Sequence, residues 1–249
     1  MLPKETARKM GSGMISTTTS ASPANAGRSA LRSFALDGPA GKLEALLNEG
    51  DADAPYAALV CHPHPKGGGT MHNKVVYHAM KTLNAPEFGL RWPVLRFNFR
   101  GTGLSEGVHD GKAEIGDVLA ALAWLQNEFS RPVIAVGFSF GAAMTLLACC
   151  ASGKANVRAV AALGLPTRAS NHTYHYAFLS GCFLPKLFLS GDRDQFAPAA
   201  DLENVAATTA EPKKLVLLPG ADHFFSGQLE AMQNELAGWL RSSCRDPGK

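Results

Sequence analysis

A mostly parallel β-sheet wrapped by helices on both faces is the fold class this sequence predicts, and three observations predict it. Eight short apolar runs of strand length alternate with segments of helical period. The central runs lack the in-out alternation of a strand with one wet face, so they read as strands covered on both sides. Five of the runs end in polar or glycine-rich stretches, which would lie along the carboxyl edge of such a sheet, where open α/β sheets bind ligands.

The first two strands are LRSFALD and KLEALLN, followed by YAALVCH, PVLRFNF, PVIAVGF, VRAVAALG, KLFLSG and KLVLLPG. Among the intervening helices, EIGDVLAALAWLQNEF places Ile115, Val118, Leu119, Leu122, Leu125 and Phe129 on one face, as a helix covering a sheet requires. The C-terminal run repeats the pattern with Leu229, Met232, Leu236, Trp239 and Leu240. With 249 residues, 46% of them hydrophobic, and no internal repeat, the chain fits one large domain at 29–249. Residues 1–28 are expected to be a disordered tail. Their Ser, Thr and Ala content and few acids also suit a transit peptide, or a true start at Met10 or Met14.

The net charge of +3 resides in that tail, where Lys4, Arg8, Lys9 and Arg28 face only Glu5. The remaining domain is formally neutral, which removes the electrostatic footprint of a nucleic-acid binder. The N-terminal segment has no apolar core of the kind a secretory signal needs, and no stretch is long enough to span a bilayer. Five cysteines without CxxC spacing, mostly in apolar runs, are expected to be buried free thiols in a reducing compartment, so the expected location is cytoplasmic. A homodimer is the assembly left open.

In PVIAVGFSFGAAM a strand runs directly into GFSFG and a helix directly out, the setting of a nucleophile elbow. There a serine, Ser139, adopts strained backbone and presents its Oγ above the sheet, while side chains at Gly137 and Gly141 would collide with neighbouring backbone. A serine needs a base, and the base needs an orienting partner. Beyond KLFLSG lies Asp194, and beyond KLVLLPG lies His223, in the chain order Ser, Asp, His. The competing carboxylate, Asp192, follows Gly191 directly and is expected to bond turn amides.

Acyl transfer also needs donors for an oxyanion, and the Phe140 amide, just after the serine, supplies one. In His62-Pro63-His64-Pro65 both prolines lack an N–H, which isolates the His64 amide as the second. A metal reading of His62, His64, His72 and His78 is set aside, because the proline limits convergence and no carboxylate or cysteine completes a tetrahedral set. Gly101 to Glu106 reads as a turn, since Glu106 occupies the third glycine position of a dinucleotide fingerprint. Gly107 to Lys112 is one residue short of a phosphate-binding loop and has Ala113 where Ser or Thr must stand. The histidines and tyrosines of the 167–185 insert, His172, Tyr174, His175 and Tyr176, are either plain loop residues or pocket lining.

CHPHPKGGGTMHNKVV, LRFNFRGTGLSEG, GFSFGA, the Gly191-to-Asp194 turn and DHFF resemble the α/β-hydrolase superfamily, and more narrowly its small dienelactone-hydrolase-like bacterial group, over about 30–245. The resemblance implies the α/β-hydrolase fold, a Ser139/Asp194/His223 triad and hydrolysis without metal or organic cofactor. Ser139 departs from the cysteine of dienelactone hydrolase proper, which shifts the expected substrate to simple carboxylic esters. A thioesterase or acyltransferase would use the same triad, and a ligand receptor on the same scaffold is the rival from another class. The insert at 167–185 is helix-poor and too short for a multi-helix lid, so an open cleft that prefers short acyl groups is expected.

Overall fold

A computed structural model of the chain describes residues 30–151, 156–169 and 172–244; the expected tail at 1–28 and the exact domain start therefore lie outside the described residues. All eight expected strands form: β1 (Leu31–Gly38), β2 (Gly41–Asn48), β3 (Ala57–Cys61), β4 (Val94–Phe97), β5 (Val133–Phe138), β6 (Val157–Leu163), β9 (Lys186–Gly191) and β10 (Lys213–Leu218). A small ribbon, β7 (Arg168–Ala169) paired with β8 (His172–Thr173), stands apart from them. The main sheet runs β1-β2-β4-β3-β5-β6-β9-β10. β1, β2 and β4 pair antiparallel, and every pairing from β4 to β10 is parallel.

The burial of successive residues explains this arrangement. β3, β4, β5 and β9 are buried at every position, as strands covered on both faces must be. On β5, Val133 and Ala135 join one core with Val118, Leu122 and Leu125 of α2 (Glu114–Phe129) and Leu146 of α3 (Phe140–Leu146). Ile134 and Val136 face the other core, with Val75 and Leu83 of α1 (Lys74–Asn84) and Leu236 and Trp239 of α5 (Leu229–Ser243). All five apolar residues expected on the α5 face are buried, whereas Ile115, Leu119 and Phe129 at the margin of the α2 face are partly so. α1 and α4 (Ala199–Thr208) were not among the helices read from the sequence. The signals for α1 were short but present: Asn73 Oδ1 accepts the Val75 amide at 2.9 Å as an N-cap, and Val75, Val76, Ala79, Met80 and Leu83 form a buried stripe.

Between β6 and β9 the described residues hold only the β7–β8 ribbon and one 3₁₀ turn (Ala177–Gly181), with no α-helix to form a cap. Its far end is anchored by Lys186, fully buried, whose Nζ donates to the carbonyls of Cys182 (2.5 Å) and Leu184 (2.6 Å). The same turn corrects the expectation of five free thiols. Cys150 and Cys182 are bonded, with Cα atoms 5.2 Å apart across 32 residues of chain, because the π turn that ends α3 (Leu147–Ala151) packs on the 177–181 turn. Spacing in sequence carries no trace of that contact, and the inference to a reducing compartment loses its premise for this pair. Cys61 and Cys149 remain buried and free, and burial pushes the Cys61 thiol up to about 12. Among the described residues no helix is long and apolar enough to cross a membrane.

The loop after β4 is the expected turn. Glu106 is tied back to β2, its N–H donating to Lys42 O and its Oε2 accepting Lys42 N at 2.7 Å. The buried Asp117 on α2 accepts from Arg100 Nε, from Nη2 (2.6 Å) and from the Arg100 amide (3.1 Å), which locks the strand end to the helix. Removing one partner of such a buried pair leaves the other charge uncompensated, a loss of about 3–5 kcal/mol. Asp117→Ala should therefore lower unfolding free energy by about that much in urea titration; a change under about 0.5 kcal/mol would show that the pair is not structural.

Candidate active site

β5 ends at Phe138 and α3 begins at Phe140, so Ser139 alone makes the corner, at φ 56° and ψ −122°. The glycines make that turn possible. A Cβ on Gly137 would lie 2.4 Å from Gly141 O, and one on Gly141 would lie 2.4 Å from His62 O and 2.6 Å from Cys61 O. The second contact also shows that the end of β3 is pressed directly against the elbow. Ser139 N–H donates to Leu163 O of β6 at 2.9 Å, which fixes the corner to the neighbouring strand.

His223, in the loop after β10, meets Ser139 from above. Its Nε2 lies 2.9 Å from Ser139 Oγ and its Nδ1 lies 2.7 Å from Asp194 Oδ2. The bonds assign the tautomer: Nδ1–H donates to the carboxylate, and Nε2 accepts from the serine hydroxyl. Asp194 is itself held, with Oδ1 accepting the amides of Phe196 (2.8 Å) and Ala197 (3.1 Å) and Oδ2 accepting Ser190 Oγ (3.0 Å). Asp192 does what was expected of it. Its Oδ1 accepts Gly220 N at 2.7 Å, stapling the turn that carries Asp194 to the turn that leads to His223.

Two residues that position the triad were not identified from sequence. Ser190 sits in an ordinary-looking strand, and nothing in KLFLSG marks it as the donor to Asp194. Gly164 carried a fainter signal, a glycine just past a strand. It has φ 51°, and a Cβ there would lie 3.2 Å from His223 Cε1. The imidazole is otherwise enclosed by the rings of Phe138, Phe196 and Phe224 at 4.7 to 5.1 Å between centroids.

The expected oxyanion donors stand on two different segments. The Phe140 N–H is the first amide of α3 and has no carbonyl one turn back to bond. The His64 carbonyl accepts Gly67 N (3.0 Å) and Gly69 N (3.1 Å), and its Nδ1 accepts Lys66 N (3.1 Å). No acceptor among the described residues takes the His64 N–H. The His64 and Phe140 rings pack edge to face at 5.0 Å. Burial holds the His64 imidazole below its ordinary value, in keeping with an Nδ1 that accepts a hydrogen bond.

Two of the other histidines set aside as metal ligands, His62 and His78, are engaged elsewhere. His62 is buried, with Nδ1 donating to Pro63 O at 2.7 Å and Nε2 accepting Phe99 N at 2.9 Å. His78 Nδ1 meets Gln233 Oε1 at 3.0 Å. A cavity of about 450 Å³ beside α3 is lined by Phe140, Ala143, Met144, Leu147, Tyr174 and Tyr176; Ser139, Asp194 and His223 are not among its lining residues. His175 lines it too, so Tyr174, His175 and Tyr176 border a cavity, though not one that the triad lines, and the side chain of His172 lies outside the described residues.

An eight-stranded, mostly parallel sheet with a serine elbow, and with no helical cap among the described residues, defines an α/β serine hydrolase fold. The chain belongs to the family described as alpha/beta hydrolase domain, whose model matches residues 59–240. It is 34% identical over 215 residues to an uncharacterized protein of Rickettsia prowazekii, covering 82% of this chain and 87% of that one. An alpha-beta serine hydrolase homologue from Coxiella burnetii superposes with a TM-score of 0.75 at 31% identity, over 84% of this chain and 97% of that one. A Xanthomonas campestris protein described as an α/β serine hydrolase without lid superposes at 0.72 with 29% identity, over 85% and 94% of the two chains.

The buried His62 yields a prediction about pH. Burial lowers its imidazole from 6.5 to about 4. The unfolded chain therefore takes up this proton near pH 6.5 while the native state resists until near pH 4. The stability is fully present above pH 6.5 and is lost as pH falls toward 4, amounting to about 2 kcal/mol at about pH 5. Urea unfolding of the wild type should show that extra loss between about pH 7.5 and about pH 5, relative to His62→Gln. Parallel pH dependences of the two proteins would contradict it.

Proposed function

We propose that the protein is a carboxylesterase that cleaves short-chain esters through Ser139, His223 and Asp194. The observation that carries the reading is the imidazole bonded on one side to Ser139 Oγ and on the other to Asp194. In the proposed reaction Ser139 Oγ attacks the ester carbonyl as His223 Nε2 takes its proton. Asp194 holds the Nδ1–H and stabilises the imidazolium that forms. The negative charge that develops on the carbonyl oxygen is received by the His64 and Phe140 amides. The imidazolium then protonates the departing alcohol, and a water, activated by the same imidazole, releases the acid. Every step is assigned to a side chain or an amide, so no metal or organic cofactor is required.

Ser139→Ala should reduce kcat on p-nitrophenyl acetate by a factor on the order of 10⁶ while leaving the unfolding transition intact. Retention of more than roughly a tenth of wild-type activity would remove Ser139 from the mechanism.

Acyl preference follows from a site that has no helical cap among the described residues. A long chain would gain about 0.8 kcal/mol per methylene only where a tunnel enclosed it, and the 167–185 insert has no α-helix among its described residues with which to build one. The kcat/KM for p-nitrophenyl esters should peak between acetate and hexanoate and fall by dodecanoate, without a jump at the critical micelle concentration. A steady rise through palmitate would contradict the open-site reading, and a parallel panel of thioesters defines the leaving group.

A further inference from the structure

Between the elbow and the start of α2 lies a second imidazole–carboxylate pair that the proposed mechanism does not use. His109 Nδ1 is 2.7 Å from Glu114 Oε1, and both side chains are buried, Glu114 completely. The contact has the closeness of an ion pair but not the alignment of a hydrogen bond, and Glu114 Oε2 is buried without a partner. The same carboxylate accepts the Asp110 amide at 3.0 Å, and Asp110 in turn accepts the amides of Lys112 and Ala113. Glu114 thus fixes the loop that carries His109 to the first turn of a 16-residue helix.

The placement of the His109 ring gives this pair a use. Its centroid is 4.7 Å from that of His64 and 5.4 Å from that of Phe140, edge to face in both cases, and those two rings meet each other at 5.0 Å. The three rings close a triangle. Two of its corners are the residues assigned as oxyanion donors, which lie on separate segments just past Cys61 and Gly137, the last residues paired between β3 and β5. Electrostatic stabilisation of an oxyanion depends on donors already held where the charge will appear.

We propose that His109, held by Glu114, is a positioning residue that clamps His64 and Phe140 and so sets the spacing of the two oxyanion amides. The inference rests on the esterase reading. Its function is mechanical: the ring wedges the β3 loop against the elbow, and the carboxylate keeps the ring from turning out into the adjoining cavity, which it also lines.

The test compares wild type, His109→Ala and the double variant His109→Phe/Glu114→Gln, which keeps a ring and removes the buried charge together with its partner. Each is first shown by its unfolding transition to be folded. In His109→Ala, kcat on p-nitrophenyl acetate should fall on the order of 10- to 100-fold with KM within about twofold, the scale expected for a misplaced catalytic group. Affinity for a trifluoromethyl ketone, which forms a tetrahedral oxyanion adduct, should weaken by the same factor as kcat/KM. The double variant should recover kcat to within about fivefold of wild type, because a phenyl ring fills the same corner. An unchanged kcat in His109→Ala, a loss confined to KM, an adduct affinity that does not move with kcat/KM, or a failure of the ring to restore the rate would each overturn the proposal. Failure of the wild type itself to turn over any ester would instead overturn the esterase reading, so the two failures are distinguishable.

Discussion

Everything at the carboxyl edge of the sheet is arranged around a backbone that would not choose its own conformation. Ser139 is held at φ 56° and ψ −122°, outside the regions open to an ordinary side chain, at a cost on the order of 1–3 kcal/mol. The conformation survives because its neighbours permit no other. Gly137 and Gly141 let the strand, the helix and the end of β3 approach to distances that a single methyl group would forbid. The buried β5 and α3 on either side supply the packing that offsets the strain. The serine Oγ is consequently fixed in space before any substrate arrives.

The partners of that hydroxyl come from loops far apart in sequence, and each is tied to the next by a bond of its own. Asp192 staples the turn after β9 to the turn after β10 through Gly220. Asp194 and His223, carried by those two loops, therefore share one frame. On the opposite side, the β3 loop is folded back on the His64 carbonyl by two glycine amides, and Arg100 with Asp117 locks the end of β4 to α2. In the proposed reaction, preorganisation of this kind would let fixed dipoles act on a developing charge without first having to reorient. The cavity beside α3 is lined by part of the short insert, which holds no α-helix among the described residues.

How much of this could be read from the sequence follows from how local each signal is. The eight strands and the faces of α2 and α5 are recorded in the period of apolar residues, because covering a sheet imposes that period directly. Ser139, Asp194 and His223 were legible because each stands just past a strand, and a parallel sheet delivers all such positions to one edge. Asp192 was separable from Asp194 by its place in the turn. The Cys150–Cys182 bond was not legible, since it joins two turns that meet only through tertiary packing. Ser190, which supports Asp194, looks like any strand serine, and Gly164 reveals its purpose only when the His223 ring is seen against it. His109 and Glu114 were hidden for the same reason: their significance lies in what they touch.

The central claim is that Ser139 is the nucleophile and that His223 activates it. Rapid quench of the wild-type protein with p-nitrophenyl acetate in acid, followed by peptide mass spectrometry, tests this most directly. The account predicts a mass gain of one acetyl group on the peptide containing Ser139, accumulating before steady state and absent in His223→Ala under the same exposure. Acylation of a different residue, or equally rapid acylation of Ser139 without the histidine, would contradict it.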